Sequence, residues 1–280
     1  LPRAHAAAMG DGGASDTEDE AGAWGLFDEP DGFRPKTPPP TEVVQRLHDG
    51  SDVRLRLVGS HPLWGHYLWN AAPTMATYLQ EHADRYVRGR ALLELGAAAG
   101  LPSIAADRAG AAIVVATDYP DPDLMQNLAH NLTHNACTHA TAHGYIWGAD
   151  AAPLRALVPH DYDVVLMSDL IFNHQAHEAL LDTCDACLTR DAARAPCALV
   201  FFSHHRPHLA EKDAHFFTRA GARGYGCEKI GEWHLEVCTP RGAKNAAHVS
   251  RRPRGRARAS HGAWLAAHAR RIVASFMSLF

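Results

Sequence analysis

The stretch Leu93-Glu94-Leu95-Gly96-Ala97-Ala98-Ala99-Gly100 decides the fold of this chain. It joins a short apolar strand, 91–95, to a helix that we expect from Leu101 to Arg108. The glycine and alanine residues between the two let the backbone come close to a ligand, and the start of the helix offers free N–H groups. By itself the spacing Gly-x-x-x-Gly is weak evidence, because a tight turn packed with small residues has the same sequence.

Outward from this turn, strands alternate with helices. We expect further strands at 113–117, 143–147, 163–168 and 198–203, and helices at 124–135, 174–189 and 211–220. Upstream, residues 53–58 alternate apolar and charged side chains, which predicts a strand with one solvent-exposed face. We expect a partner strand before it and a helix over 71–82. Buried strands that alternate with helices are typical of a parallel sheet covered on both faces. The predicted fold class is therefore α/β, a doubly wound, Rossmann-like sheet.

The two ends of the chain carry opposite charge. Between Asp11 and Asp31 there are eight acidic residues and no basic one, whereas nine Arg and Lys residues and no acidic one follow Glu236. We therefore divide the chain into a disordered acidic extension at 1–23, a folded domain at 24–238 and a basic tail at 239–280. For the tail, disorder and folding both remain open. Within it, only 264–280 has helix-like apolar spacing.

Composition favours a cytoplasmic protein. No stretch approaches the ~20 apolar residues of a membrane helix, and residues 1–13 lack the apolar run of a secretory signal. The six cysteines are scattered without a disulfide framework, as expected in a reducing compartment.

Two further patterns predict no ligand. Cys184 and Cys187 have zinc-ligand spacing but no second pair, and the histidines at 204, 205 and 208 have no Cys or carboxylate at ligand spacing. We therefore predict no metal site. The arginine-rich run 251–258 has neither interleaved aromatic residues nor a nucleic-acid fold signature, so we expect no nucleic-acid partner.

An acidic residue follows the second strand of the α/β region. Asp118 lies 22 residues after Gly96, where nucleotide-binding α/β folds place a carboxylate that binds ribose hydroxyls. A turn or helix cap is the alternative for this residue. The pattern does not separate a nicotinamide enzyme from a methyltransferase. Glu94 favours the methyltransferase, since the dinucleotide fingerprint would place a glycine where this chain has Ala98.

Other residues at strand ends are candidates for the same site. Ser168 and Asp169 end the strand 163–168, at the edge of the sheet where ligands bind. Trp147 follows the strand before it and either lies against an adenine ring or packs in the core. His174, on the next predicted helix, is expected to face solvent.

Six segments together resemble one known family, the seven-β-strand protein lysine methyltransferases. They are residues 59–71, 93–103, 117–124, 144–148, 168–174 and 203–213. The resemblance runs from about Leu26 to about Val237, and among family members the chain looks most like fungal enzymes acting on elongation factor 1-alpha. It implies a class I methyltransferase fold, S-adenosylmethionine as cofactor and a protein substrate. The substrate sites it implies are the N-terminal amine and the adjacent lysine of that factor.

The resemblance also implies roles for individual positions. The implied cofactor-binding residues are Trp69, Gly96, Ala97, Ala98, Asp118, Trp147 and Ser168. Asp169 opens the family's Asp-x-x-aromatic motif, which Phe172 closes here, and with Asn173 these residues form the implied catalytic group beside the substrate amine. Trp64 also lies in a matching segment.

One departure from the family leaves alternatives open. The family closes its sheet with an antiparallel C-terminal hairpin, and the sequence after 233–237 does not fit one. An inactive binding module on the same scaffold is therefore one alternative. A small-molecule, nicotinamide-type N-methyltransferase, as an older name for such proteins implies, is another.

Overall fold

Ten strands and seven helices make up the part of the chain that the structure, a computed structural model, describes: residues 38–63, 65–236, 248–249 and 270–279. The strands are β1 (Thr41–Arg46), β2 (Asp52–Leu57), β3 (Ala91–Leu95), β4 (Ile113–Asp118), β5 (Ala140–Gly144), β6 (Val164–Ser168), β7 (Cys197–Ser203), β8 (Gly226–Glu236), β9 (His248–Val249) and β10 (Arg271–Leu279). The helices are α1 (Ala71–Glu81), α2 (Ala83–Tyr86), α3 (Leu101–Arg108), α4 (Pro122–His134), α5 (Ala152–Arg155), α6 (His177–Cys187) and α7 (Ala210–Ala222). The predicted acidic extension at 1–23 and Trp64 lie outside the described residues.

The main sheet confirms the predicted doubly wound α/β class. Its strand order is β5-β4-β3-β6-β7-β10-β8-β9, and every neighbouring pair is parallel except β8 and β9. The chain order reverses at β3, which pairs with β4 on one side and β6 on the other. A reversal of this kind opens a crevice at the carboxyl ends of the strands, where ligands bind in such sheets. In the described ranges, no helix combines the length and apolar character needed to cross a membrane.

The C-terminal strand was not expected from the sequence of the tail. The apolar spacing over 264–280 is helix-like and the folding of the tail was left open, but Arg271–Leu279 is a strand that pairs with β7 and β8. Ile272 and Val273 are fully buried in it. A short apolar run does not distinguish strand from helix by its spacing, and pairing on both edges decides the outcome. The predicted tail therefore contributes a strand to the sheet, and this strand runs parallel rather than in an antiparallel hairpin.

The third strand of the α/β region lies earlier than predicted. It spans Ala140–Gly144 rather than 143–147 and forms the edge of the sheet beside β4. An edge strand with half-exposed residues has few apolar positions in its sequence. The large apolar residues Tyr145 and Ile146, which follow the strand, shifted the predicted bounds toward the C-terminus. Trp147 still follows the strand, in the loop beyond its end.

An asparagine ladder attaches the β1–β2 hairpin to the body of the sheet. Asn127 and Asn131 of α4 and Asn135, directly after it, are spaced four residues apart and bond the backbone of β2 through their side chains. The central one, Asn131, accepts a hydrogen bond from Arg56 N at 2.8 Å and donates to Arg56 O at 2.9 Å. Its amide also donates to Ala99 O, in the glycine-rich turn, at 3.1 Å. The hairpin, α4 and the turn are thus held by one fully buried side chain.

Replacing Asn131 by leucine is expected to lower the free energy of unfolding by about 3 kcal/mol, because it removes the Asn131 partner of Arg56 N and of the buried Ala99 O, at ~1–3 kcal/mol for each group left unpaired, while Arg56 O keeps its bond from Asn127. Urea unfolding followed by circular dichroism measures the change. The matched control is Gln126→Leu, an exposed amide on the same helix. Equal losses in the two variants would show that the ladder does not stabilise the fold.

Candidate active site

A cavity of about 760 Å³ opens at the carboxyl ends of β3, β4 and β6. It is lined by nine of the ten predicted site residues: Trp69, Gly96, Ala98, Asp118, Trp147, Ser168, Asp169, Phe172 and Asn173. The exception is Ala97, which is buried, donates its N–H to Thr117 O and lines only a small adjoining cavity of about 30 Å³. Residues predicted from separate segments therefore share one site, although their individual roles remain predictions.

The glycine-rich turn forms the floor of this cavity. Gly96, directly after β3, has a φ of 62°, and a Cβ built there would lie 2.7 Å from Leu170 Cδ2 and 3.1 Å from Trp147 Cζ2. Ala98 also has a left-handed φ, of 47°, which a residue with a Cβ rarely adopts. Its N–H donates to Asp118 Oδ2 at 2.7 Å, and this bond holds the turn in that conformation.

Asp118 ends β4 and faces the cavity from beside the turn. Besides the bond from Ala98, its Oδ1 accepts the N–H of Tyr119 at 2.7 Å. Burial raises the pKa of Asp118 above its usual range, against these two hydrogen bonds, which lower it. A buried carboxylate with remaining lone pairs gains from further donors, such as the hydroxyls of a ribose.

Glu94 lies beneath the turn and was not among the predicted site residues. Its carboxyl is 1% exposed, lines the small cavity and accepts hydrogen bonds from the N–H and hydroxyl of Ser103. Burial raises its pKa from 4.5 to about 8. Near neutral pH the side chain is therefore largely protonated, and it adds little negative charge under the cavity.

Glu94 should make the fold less stable as pH rises. The folded protein keeps the proton up to about pH 8, whereas the unfolded chain releases it near pH 4.5, so between these values the folded state binds more protons and loses stability with increasing pH. Glu94→Gln keeps an oxygen for both Ser103 bonds without the charge. We expect its melting temperature, relative to the natural protein, to increase steadily between pH 5 and about pH 8. Glu211→Gln, at an exposed position, is the control, and a difference that does not change with pH would contradict the prediction.

The opposite wall of the cavity is made by Trp147 and Ser168. Trp147 is half-buried, lines the cavity and also packs against the apolar core, so the core-packing interpretation applies and the contact with adenine stays a prediction. Ser168 ends β6 and lines both cavities. Its Oγ is buried and has no hydrogen-bond partner among the described residues, which leaves it free for a ligand.

Asp169 is fixed by backbone hydrogen bonds from two other segments. Its Oδ1 accepts the N–H of Ser203 at 2.8 Å, and its Oδ2 accepts the N–H of Ala71 at 3.3 Å. The residue itself has a left-handed φ of 54° and is 4% exposed. The longer bond leaves Oδ2 the better placed of the two oxygens to accept a further donor.

Aromatic rings surround the outer side of Asp169. Trp69 and Phe172 are stacked with their centroids 6.4 Å apart, and the ring of His205 lies edge-on to both, at 4.8 Å and 5.5 Å. His205 Nε2 is 3.2 Å from Asp169 Oδ1. The histidine cluster 204, 205 and 208 suggested at most a metal ligand, so His205 was not predicted at this position. Its place directly after the carboxyl end of β7, the strand beside β6, is a signal that could have found it.

The segment before α1 covers the Asp118 side of the cavity. Pro62 and Leu63 line it there. The N–H of Leu63 donates to His61 Nδ1 at 3.1 Å, so the ring hydrogen of a neutral His61 is on Nε2, which lies 3.3 Å from Asp121 Oδ1. This contact joins the segment to the start of α4.

Three residues at the mouth were not predicted as parts of the site. Arg206 and Lys212 line the cavity, and Arg206 Nη2 donates to Phe172 O at 3.2 Å. The prediction that His174 faces solvent on a helix is wrong: it lies in a short 3₁₀ turn, lines the cavity and places Nε2 2.6 Å from the buried Asp213. The charge partner comes from α7, far along the chain, so no local pattern could indicate it.

The residues around the glycine-rich turn fit S-adenosylmethionine. Gly96 leaves space at the floor of the cavity that a side chain would fill. The Asp118 carboxylate can accept hydrogen bonds from ribose hydroxyls, and the Ser168 Oγ, which has no partner among the described residues, can bond a polar atom of the ligand. In a doubly wound sheet with the acidic, aromatic group around Asp169 beside it, this site defines an S-adenosylmethionine-dependent methyltransferase.

Comparisons with known proteins agree with this class. The model of the lysine methyltransferase family matches residues 52–222. Protein N-terminal and lysine N-methyltransferase efm7 of Schizosaccharomyces pombe is 43% identical over 75% of this chain and 85% of its own. The EFM7 protein of Debaryomyces hansenii is 45% identical over 76% of this chain and 87% of its own. The chain belongs to the lysine methyltransferase family, and the prediction of an S-adenosylmethionine-dependent N-methyltransferase is confirmed.

Proposed function

We propose that this enzyme methylates the N-terminal amine of elongation factor 1-alpha, and the lysine adjacent to it. The names of the relatives, which are N-terminal and lysine methyltransferases, support a protein substrate. The resemblance of segments 59–71 and 117–124 to enzymes acting on that factor supports the particular substrate. The structural observation that carries the proposal is the buried Asp169 carboxylate, which lines the cavity together with Trp69 and Phe172 and lies next to the His205 ring that contacts both.

Methyl transfer from S-adenosylmethionine to an amine requires the protein mainly to bind and align the two reactants. S-adenosylmethionine supplies the methyl group on a sulfonium, and the substrate amine must reach it neutral. Asp169 attracts the protonated amine to Oδ2, and the surrounding apolar rings oppose the effect of the carboxylate by favouring the neutral form, with the proton released to water. An α-amine, with a pKa of about 7.7–8.0, loses its proton more easily than lysine at about 10.4. An N-terminal amine therefore needs no strong base at this site.

A chain end also suits the mouth of the cavity. Chain termini are commonly mobile, so they can enter a narrow opening without unfolding the substrate, as an interior loop would have to do. Asn173 is exposed at this opening and Arg206 lies beside it, which places polar groups where the first peptide units of a substrate would pass.

Mass spectrometry of the factor after incubation with enzyme and cofactor tests the proposal. We expect methyl groups on the N-terminal amine first and on the adjacent lysine second. A factor whose N-terminus is acetylated is the matched control and should gain none at the blocked amine. Methyl groups found only on lysines inside the folded factor would overturn the proposal.

Two added arms separate the alternatives. Labelled cofactor in a cell extract should give one labelled band of the size of the factor. An inactive binding module would bind cofactor and label nothing, and a small-molecule enzyme would convert nicotinamide to methylnicotinamide at a rate at least equal to its transfer to protein.

A further inference from the structure

His205 is held next to Asp169 without bonding it. The ring lies edge-on to Trp69 and Phe172, and its Nε2 is 3.2 Å from Asp169 Oδ1. That nitrogen is buried and makes no hydrogen bond among the described residues, because the contact is poorly aligned. A buried polar atom without a partner is unfavourable, so such an atom beside a reactive carboxylate calls for an explanation.

The position fixes where the ring carries its hydrogen. An unprotonated Nε2 is partly negative and is repelled by a carboxylate oxygen 3.2 Å away even when the two are not aligned, whereas an N–H there is attracted, so Nε2 bears the hydrogen. Hydrogen bonds of active sites are often long or misaligned before the substrate binds, and tighten in the complex. A small rotation of either side chain would align Nε2–H with Oδ1.

We propose that His205 is a positioning residue of the substrate site, which donates Nε2–H to Asp169 Oδ1 when the amine enters. This bond, with that of Ser203 N, occupies Oδ1 and directs Oδ2 to the incoming amine. The ring also sets the spacing of Trp69 and Phe172, since it contacts both. The proposal rests on the proposed function, because it takes the substrate group to be an amine held by Asp169.

Two amide variants test the geometry. In His205→Gln the side-chain amide nitrogen falls near the position of Nε2, and in His205→Asn it falls near Nδ1, so only the first can replace the bond to Asp169. We expect kcat/KM for the protein substrate to fall about 10- to 100-fold in His205→Asn and to stay within about fivefold of the natural enzyme in His205→Gln. His208→Gln, at an exposed position that does not line the cavity, is the control.

Further readouts separate positioning from a merely structural role. The Kd of S-adenosylmethionine, measured by isothermal titration, should change to the same extent in both variants, because His205 does not line the cavity and its ring contact with Trp69, a predicted cofactor-binding residue, is lost equally in both. The melting temperatures of the two variants should be alike. Equal losses of kcat/KM in both variants, or losses that follow melting temperature or cofactor affinity, would overturn the proposal.

A measurement without substrate keeps the inference separate from the proposed function. Long-range ¹H–¹⁵N NMR of the histidine ring nitrogens, with the His205 signals assigned by their loss in His205→Gln, should show the tautomer with hydrogen on Nε2. The opposite tautomer would overturn the inference even if the factor is methylated. If the natural enzyme does not methylate the factor while the Nε2–H tautomer is seen, the proposed substrate fails and the position of the hydrogen stands.

Discussion

Replacing Asp169 by asparagine is expected to reduce kcat/KM for the protein substrate by about 100-fold or more, since a hydrogen bond to a charged group contributes ~1.5–3 kcal/mol and the charge that attracts the amine is lost as well. The Kd of S-adenosylmethionine should change little. Asp169 bonds Ser203 N, after β7, and Ala71 N, whereas Asp118 bonds the glycine-rich turn, so the charge of Asp169 makes no hydrogen bond with Asp118 or the turn.

Asparagine is the suitable replacement because of the backbone at this position. Asp169 has a φ of 54°, a conformation that asparagine adopts at less cost than alanine, so Asp169→Ala would add backbone strain to the loss of charge. Both carboxylate oxygens accept backbone N–H groups, so the amide nitrogen of asparagine must face one of them. Some loss of stability is expected, and the melting temperature has to be measured beside activity.

Single-turnover experiments measure the rate of methyl transfer to the factor, and isothermal titration measures the Kd of S-adenosylmethionine. Asp191→Asn, at an exposed position near the amino end of β7, is the matched control and should leave both unchanged. Normal turnover by the Asp169 variant would show that the aspartate is not part of the substrate site. A parallel rise in cofactor Kd would place it at the cofactor instead.

Much of the site could be predicted because its residues follow strands at one edge of the sheet. Gly96, Asp118 and Ser168 each come directly after, or end, a strand that is visible as an apolar run. Parallel strands bring their carboxyl ends to one edge, so the chain order of such residues predicts their proximity. The resemblance to a family added the individual roles that spacing alone does not give.

What the sequence did not reveal depends on contacts between distant segments. The position of β10 is decided by pairing with β7 and β8, and its apolar run alone is ambiguous between strand and helix. His174 acquires its place through Asp213 of α7, and His205 through Asp169 and two aromatic rings. These partners are far apart in the chain, and no periodicity connects them.

Asp118→Ala is expected to raise the Kd of S-adenosylmethionine by about 100-fold, near the upper end of what hydrogen bonds to one charged group contribute. The carboxylate has two tasks that the substitution removes together. It is the acceptor facing the cavity beside the glycine-rich turn, and it accepts the N–H of Ala98, whose left-handed backbone it holds. Isothermal titration gives the Kd, and the melting temperature shows whether the fold survives.

A double-mutant cycle with Ala98→Gly separates the two tasks. Glycine adopts the left-handed conformation at no steric cost, so in that background the turn depends less on the Asp118 bond. If Asp118 acts mainly as an acceptor for the cofactor, Asp118→Ala should still raise the Kd by more than about 10-fold there. A loss that disappears in the Ala98→Gly background would assign Asp118 to the turn alone. An unchanged Kd in the single variant would make it an ordinary residue at the end of a strand.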